Sequence, residues 1–182
     1  ILDIIIERLS KNKYLIPICI ASTNNTADDK LYDKYKDNSN IFFYRGDENN
    51  VLSRFIDCAN YYNKKTIIRV CSDNPFISLK YMEYLIDIYL ENNKDYISYS
   101  IDGEKCCIKS HIGIFSEIVS LNSLKTAITE TKDKHFLENV TEYVYENTDK
   151  FLVKLINENF SSSIINDIRL TLDNKEDFDN LT

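Results

Sequence analysis

Apolar residues recur along this chain in short bursts, alternately at helical and at strand-like spacing, from the first residue almost to the last. Leu2, Ile5, Ile6 and Leu9 fall three or four apart and predict an amphipathic first helix ending near Lys11-Asn12. Ile16 to Ala21 (I-P-I-C-I-A) predicts a buried strand, with Pro17 tolerated near its start. A polar loop and a charged helix follow, with Thr26 as the expected N-cap and Asp28 and Asp29 in the first turn. Ile41 to Tyr44 predicts a short strand running into the loop Arg45-Gly46-Asp47-Glu48. Two helical faces come next: Val51, Phe55, Cys58 or Ala59, and Tyr62 within Asn50 to Asn63, then Met82, Leu85, Ile86 and Tyr89 within Ser78 to Leu90. Tyr96 to Tyr99 and Ser110 to Phe115 predict strands flanking a loop with Gly103, and Ser116 to Thr129 and Lys134 to Glu146 predict helices. Lys150 to Ile156 predicts a strand, Ser161-Ser162-Ser163 a loop, Arg169 to Leu172 a strand and Lys175 to Leu181 a terminal helix. Strands alternating with helices at this interval predict a doubly wound sheet rather than a bundle or a sandwich.

One stretch stands at the centre of that pattern. Thr66 to Cys71 is short, rich in β-branched residues and nearly all apolar, as a strand buried on both faces would be, and it stops at Ser72-Asp73-Asn74-Pro75. Pro75 cannot donate to a ladder and biases Asn74 away from helix, so the strand ends there. Ligands of open α/β sheets sit in the crevice beyond the carboxyl ends of strands, where Asp73 stands. A carboxylate at that place suits Mg²⁺, which keeps several waters and takes one or two protein carboxylates plus substrate phosphates. Asp173 repeats the arrangement, closing the strand-like run Ile168-Arg169-Leu170-Thr171-Leu172. On the residues alone both aspartates also read as a turn residue or a helix cap.

Composition narrows the class. With 182 residues the chain is large enough for one well-buried core and short for two, which predicts a single domain over 1–182. Hydrophobic residues make up 43% and charged residues 28%, as in a folded globular protein. A formal net charge of -7 argues against duplex DNA or an anionic membrane as partner, and a phosphate-bearing ligand would need a local cation. The five cysteines include no C-x-x-C pair, so neither a disulfide framework nor a Cys-rich zinc site is expected. Cys19 and Cys71, set in apolar runs, read as small buried hydrophobes in a reducing compartment. No segment reaches the apolar length of a membrane span, and Asp3, Glu7 and Arg8 interrupt Ile1 to Leu9, unlike a secretory signal.

Five segments, in order, resemble one family. A-S-T-N-N-T-A-D-D resembles its "A-T-S-x-x-x-x-D-D", Y-R-G-D-E-N-N-V-L-S-R-F its "F-R-G-s-e-x-D-V-L-x-R-Y", and R-V-C-S-D-N-P-F-I its "R-x-T-A-D-C-P-L-I". E-N-V-T-E-Y-V-Y-E-N resembles "E-H-V-T-P-Y-I-Y-E-N", and R-L-T-L-D-N-K-E-D-F resembles "R-W-T-V-D-T-P-E-D-L". The family is the cytidylyltransferase-like one that includes spore coat polysaccharide biosynthesis proteins and is related to acylneuraminate and 3-deoxy-manno-octulosonate cytidylyltransferases. The matches cover nearly the whole chain.

The resemblance implies a three-layer α/β/α nucleotide-diphospho-sugar transferase (GT-A-like) fold with a mostly parallel sheet. It implies a cytoplasmic, homodimeric enzyme that uses CTP, a sugar acid or related sugar, and Mg²⁺ to make a sugar nucleotide for surface polysaccharide. Asp73 and Asp173 would be the catalytic, metal-holding residues, with Arg54, Arg69 and Ser72 near the nucleotide. His111, Asn139 and Thr141 would border the sugar. An Arg69 or Arg54 paired with a neighbouring Asp, a surface or packing role for His111 and an ordinary exposed helix start at Asn139 and Thr141 are the alternatives on the residues alone. The aromatic residues Tyr143, Tyr145 and Phe151 read as core or subunit packing. The family's first strand and its loop "Q-A-R-x-G-S-x-R-L-P-x-K" would precede Ile1, so the chain as given is expected to be N-terminally truncated and poorly active. Asn139 stands where the family commonly has His, Glu142 where it has Pro, Cys71 where it has Thr and Asn74 where it has Cys, which leaves base and sugar open. A GT-A-like glycosyltransferase and a non-catalytic assembly domain are the rival readings.

Overall fold

The computed structural model describes residues 1–101, 103, 105–158 and 168–181, so the loop expected at Ser161-Ser162-Ser163 lies outside the described residues. In chain order the elements are α1 (Leu2–Leu9), β1 (Ile18–Thr23), a 3₁₀ turn (Thr26–Asp28), α2 (Asp29–Tyr35), β2 (Ile41–Gly46), α3 (Val51–Tyr61), β3 (Thr66–Arg69), α4 (Leu79–Glu91) and β4 (Tyr96–Ile101). They continue with β5 (Lys105–Cys106), a 3₁₀ turn (Cys107–Lys109), β6 (Glu117–Ser120), α5 (Leu121–Glu130), α6 (Lys134–Glu138), α7 (Glu142–Glu146), β7 (Val153–Glu158) and α8 (Lys175–Leu181). β1 and β2 pair in parallel from Ile18 opposite Ile41 to Thr23 opposite Gly46. A larger sheet runs β3-β6-β4-β5, with β7 also paired to β4 and β5 antiparallel to it. The chain packs as two compact units: Ile1–Leu15, Ile68–Ile118 and Lys154–Thr182 form the first, and Ile16–Ile67 and Val119–Val153 the second.

In the first unit β4 is buried at all six positions, and Tyr96, Ile97 and Tyr99 are fully covered. It is therefore β4, and not Thr66 to Cys71, that has the burial of a strand covered on both faces; β3 is shorter than expected and only half-buried. Tyr99 packs with Tyr81 and Phe115 at ring-centre distances of 5.3 and 4.9 Å, and its hydroxyl donates to the Tyr81 carbonyl at 2.7 Å. The Ser78 side chain caps α4, which buries Met82, Leu85 and Ile86 as its periodicity predicts. Of the first helix's apolar positions only Ile5 is buried.

In the second unit the Asn50 side chain accepts from the Ser53 amide at 2.9 Å and caps α3. That helix buries Leu52, Ile56 and Ala59, one position round from the face expected at Val51 and Phe55. The adjacent apolar pairs Val51-Leu52 and Phe55-Ile56 fit either face, so periodicity alone could not choose between them. Asn25, rather than Thr26, caps the turn before α2, its side chain accepting from the Ala27 amide at 2.9 Å. Cys19 is exposed rather than buried, because β1 is only partly covered along its length.

Three further expectations change for local reasons. Ser110 to Phe115 is a turn and an irregular stretch, broken at Gly113 (φ 63°), and the strand comes later, at Glu117–Ser120, where a helix start was expected. Ser120 ends that strand and caps α5, accepting from the Ser123 amide at 3.0 Å. Lys134 to Glu146 forms two helices, since the Asn139 side chain bonds the His135 carbonyl at 3.0 Å and closes α6 before Thr141 opens α7. Arg169 to Leu172, expected as a strand, joins no sheet among the described residues. Its Leu170 and Thr171 amides donate to the His111 carbonyl at 2.8 and 3.2 Å, and the Leu172 amide donates to the Asp73 carbonyl at 2.8 Å.

Candidate functional site

The last of those bonds makes the site. Beyond β3 the chain turns at Ser72-Asp73, where the Asn74 amide donates to the Cys71 carbonyl at 3.2 Å, and the Asp73 carbonyl then holds the segment carrying Asp173. Two aspartates 100 positions apart in sequence thus come to one rim, in the first unit. They line a cleft of about 190 Å³ together with Cys71, Cys107, Lys109, His111 and Thr171. A volume below the roughly 300 Å³ at which drug-sized ligand sites begin accommodates one portion of a nucleotide-sized ligand.

Asp73 is half-buried, and its Oδ1 is enclosed without a hydrogen-bond partner among the described residues. Burial pushes its carboxyl above the ordinary aspartate range, and the Asp173 charge adds to the rise, whereas its own amide and Arg69 oppose it. A buried anionic oxygen with no donor is costly unless something positive reaches it. Asp173 is more open. Its Oδ2 accepts from Arg169 Nη2 at 2.5 Å and from Thr171 Oγ1 at 2.9 Å, with His111 Nδ1 at 3.7 Å. Arg169 is itself held by Asp177, Nε to Oδ1 at 2.6 Å, and the Asp177 Oδ2 accepts the Asp173 and Asn174 amides at 2.9 and 3.1 Å. Arg169 and Asp177 therefore fix where the Asp173 carboxylate points at the cleft it lines.

The wall of the cleft depends on Gly113. A Cβ there would meet the Leu170 carbonyl carbon and oxygen at 3.1 Å and Asn74 Oδ1 at 3.2 Å, and its φ of 63° lies where only glycine is unstrained. Asn74 is 4% exposed and its Oδ1 has no partner among the described residues. The two thiols of the cleft stay protonated near neutrality. Burial pushes Cys71 up to about 11 and Cys107 up to about 12, which makes both poor nucleophiles.

Hard carboxylate oxygens, one of them orphaned, suit a divalent cation that completes its shell with water and phosphate. Among the described residues no group of three or more His, Cys, Asp or Glu side chains is arranged to hold a metal ion, so a protein-only cage is not offered.

The remaining residues singled out from the sequence fall elsewhere. Ser72 is exposed beside Asp73 in the turn. Arg69 lies at the end of β3 but is paired with Glu117, which is wholly buried and also accepts from the Tyr96 hydroxyl at 2.6 Å. Arg54, Asn139 and Thr141 belong to the second unit. Arg54 packs its stem on Gly46, donates to the Asp47 carbonyl at 2.7 Å, and has its charge disfavoured by burial. Its Nε has no partner among the described residues. Asn139 is exposed and Thr141 is 2% exposed. The aromatic residues of the same segment pack together: Tyr143 lies between Phe136 and Phe151, 5.3 and 6.3 Å away. Sequence reasoning passed over Lys109, Gly113 and Thr171. The signal for Gly113 was visible, a glycine breaking the apolar run H-I-G-I-F in a chain with only three glycines.

A mixed α/β fold with two distant aspartates brought to one cleft fits a nucleotidyltransferase, and comparison with known proteins agrees. The cytidylyltransferase family profile matches residues 1–182, and the chain belongs to that family. It is 33% identical over 178 residues to an uncharacterised protein of Methanocaldococcus jannaschii, covering 98% of this chain and 69% of the other. It is 25% identical over 188 residues to the spore coat polysaccharide biosynthesis protein SpsF of Bacillus subtilis, covering all of this chain and 73% of that one. Among solved structures, a cytidylyltransferase from Leptospira borgpetersenii superposes with a TM-score of 0.83 at 27% identity, covering 99% of this chain and 73% of that chain. A CMP:2-keto-3-deoxy-manno-octonic acid synthetase solved with CTP shares the fold, with a TM-score of 0.60 at 8% identity over 87% of this chain and 79% of that one. Among the described residues no helix is long and apolar enough to cross a membrane.

Proposed function

We propose that the protein transfers a cytidylyl group from CTP to a sugar acid or related sugar, with Mg²⁺ held by Asp73 and Asp173, in the biosynthesis of a surface polysaccharide. The observation that carries this reading is the buried Oδ1 of Asp73, without a partner among the described residues, in a cleft that a second carboxylate, Asp173, also lines. A cation bound there would offset the triphosphate charge and stabilise the pyrophosphate as it leaves. The protein's own residues prepare that arrangement. Asp73 supplies an oxygen whose ionised form is disfavoured until a positive partner arrives. Arg169, Thr171 and Asp177 hold Asp173 in place. Gly113 lets the Leu170 carbonyl close the wall, and His111 and Lys109 stand at the edge where sugar or phosphate oxygens would approach. The polysaccharide role and the sugar class rest on the names of the relatives, SpsF and the octonic acid synthetase.

Calorimetric titration of CTP with and without Mg²⁺ tests the reading. Tight binding that requires Mg²⁺ and vanishes in Asp73→Asn supports it, and so does pyrophosphate release on adding a sugar acid. Metal-independent CTP binding unchanged in Asp73→Asn overturns the metal role.

A further inference from the structure

The second unit holds a thiol pair, neither member of which lines the cleft. Cys19 stands in β1 and Cys58 in the last turn of α3, 39 positions apart in sequence, with their sulfurs 3.4 Å apart. Cys19 is exposed and Cys58 half-buried, so solvent reaches the pair. The other three cysteines, Cys71, Cys106 and Cys107, belong to the first unit and are half-buried or buried.

We propose that Cys19 and Cys58 are a redox modification site: on meeting a peroxide they form a reversible disulfide that ties β1 to α3. Contact distance between sulfurs from distant parts of the chain is the geometric requirement such a bond imposes, because an S–S bond of about 2.05 Å forms only where both side chains already point at each other. The chemistry balances with hydrogen peroxide as oxidant. One thiolate attacks the O–O bond, giving a sulfenic acid and, after proton uptake, one water. The second sulfur then attacks the sulfenic sulfur, the S–S bond forms, the S–O bond breaks, and the second thiol's proton leaves with the hydroxyl as another water. Two thiols and one peroxide thus become one disulfide and two waters. The shared hydrogen bond favours the first step, since it holds the Cys58 thiol below its ordinary range and Cys19 above it, which makes Cys58 the more easily ionised, attacking sulfur and Cys19 the resolving thiol. A neighbour at 3.4 Å also captures the sulfenic acid before a second peroxide carries it further.

The test uses the reduced full chain, titrated with hydrogen peroxide, alkylated under denaturing conditions and mapped by mass spectrometry. The expected result is the loss of two of the five thiols, a mass lower by two hydrogens, a single linked peptide pair joining Cys19 to Cys58, and full reversal by dithiothreitol. The cross-link closes a loop of about 40 residues and raises Tm by about 5 °C or more, which the reductant also reverses. In Cys19→Ser no link forms and dimedone labels a sulfenic acid on Cys58. Oxidation that leaves both Cys19 and Cys58 as thiols, that links them to other cysteines or between chains, or that drives one to sulfinic acid unlinked, overturns the proposal. Because the wild-type peptide map alone decides it, the proposal does not depend on the variant folding.

Discussion

Two carboxylates of the first unit lie near the end of β3, and they are treated in opposite ways. Glu117 is wholly buried, yet it is saturated: Arg69 pairs with one oxygen and the Tyr96 hydroxyl donates to the other. Burial disfavours the Arg69 charge, and the Glu117 carboxylate more than offsets this, holding the guanidinium above its ordinary range. Burial, with the Glu117 charge, likewise raises the Tyr96 hydroxyl, which stays a donor. Asp73, four residues beyond Arg69, is less buried but has an enclosed oxygen with no hydrogen-bond partner among the described residues. The first group is compensated from within the chain and holds strands together. The second is uncompensated, which stability alone does not account for and ligand binding does.

The largest expected effect comes from breaking the compensated pair. Arg69→Met leaves Glu117 buried without its cation and should lower stability by about 3–5 kcal/mol in urea unfolding. Arg69→Met combined with Glu117→Leu should recover most of that loss, since an apolar pair costs little to bury. If the double variant is no better than the single one, the pair does more than compensate charge. Next in size is Gly113→Ala, which forces a side chain into the left-handed region and against the Leu170 carbonyl. A loss of about 1–3 kcal/mol is expected, together with weaker Mg²⁺-dependent CTP binding, because the wall and the Asp173 segment share that contact.

How far this contrast was legible in the sequence depends on the range of the interactions. The abrupt stop at Ser72-Asp73-Asn74-Pro75 is local chemistry, and the turn falls where Pro75 requires it. The burial of Met82, Leu85 and Ile86 follows from period alone. What could not be read was which cation partners which carboxylate. Arg69 precedes Asp73 by four residues but pairs with Glu117, 48 positions away, because β6 lies beside β3 in the sheet. The stretch at Arg169 looked like a strand since its alternation is that of extended backbone. Its amides instead bond His111 and Asp73, and no ladder forms. The meeting of Asp73 with Asp173 came from family resemblance, and neither spacing nor period encodes it.

A smaller effect is expected at the support of the second aspartate. Arg169 is exposed, and its buried partner Asp177 keeps the Asp173 and Asn174 amides as donors, so Arg169→Met should lower Tm by only about a few degrees. It holds Asp173 Oδ2, however, and its loss should weaken Mg²⁺-dependent CTP binding about tenfold, as loss of a residue that orients a metal ligand commonly does. Equal binding in Arg169→Met and wild type would show that Asp173 needs no such orientation.

The one stability effect of opposite sign belongs to Asp73→Asn. A carboxyl whose pKa is raised in the folded state binds its proton more tightly there than in the unfolded chain. Its contribution to stability is therefore fully present below the unfolded pKa and lost as pH rises through the folded one. Above the folded pKa the wild-type protein carries an anion that burial disfavours, and an amide of the same shape removes it. Asp73→Asn should leave Tm at pH 7 unchanged or raised by a few degrees, whereas near pH 3, where wild-type Asp73 is protonated, the two proteins should melt together. The same substitution should abolish Mg²⁺-dependent CTP binding, so stability and binding move apart at this residue while at Gly113 they fall together. A clear drop in Tm at pH 7 would place Asp73 with Glu117, as a carboxylate held for the fold.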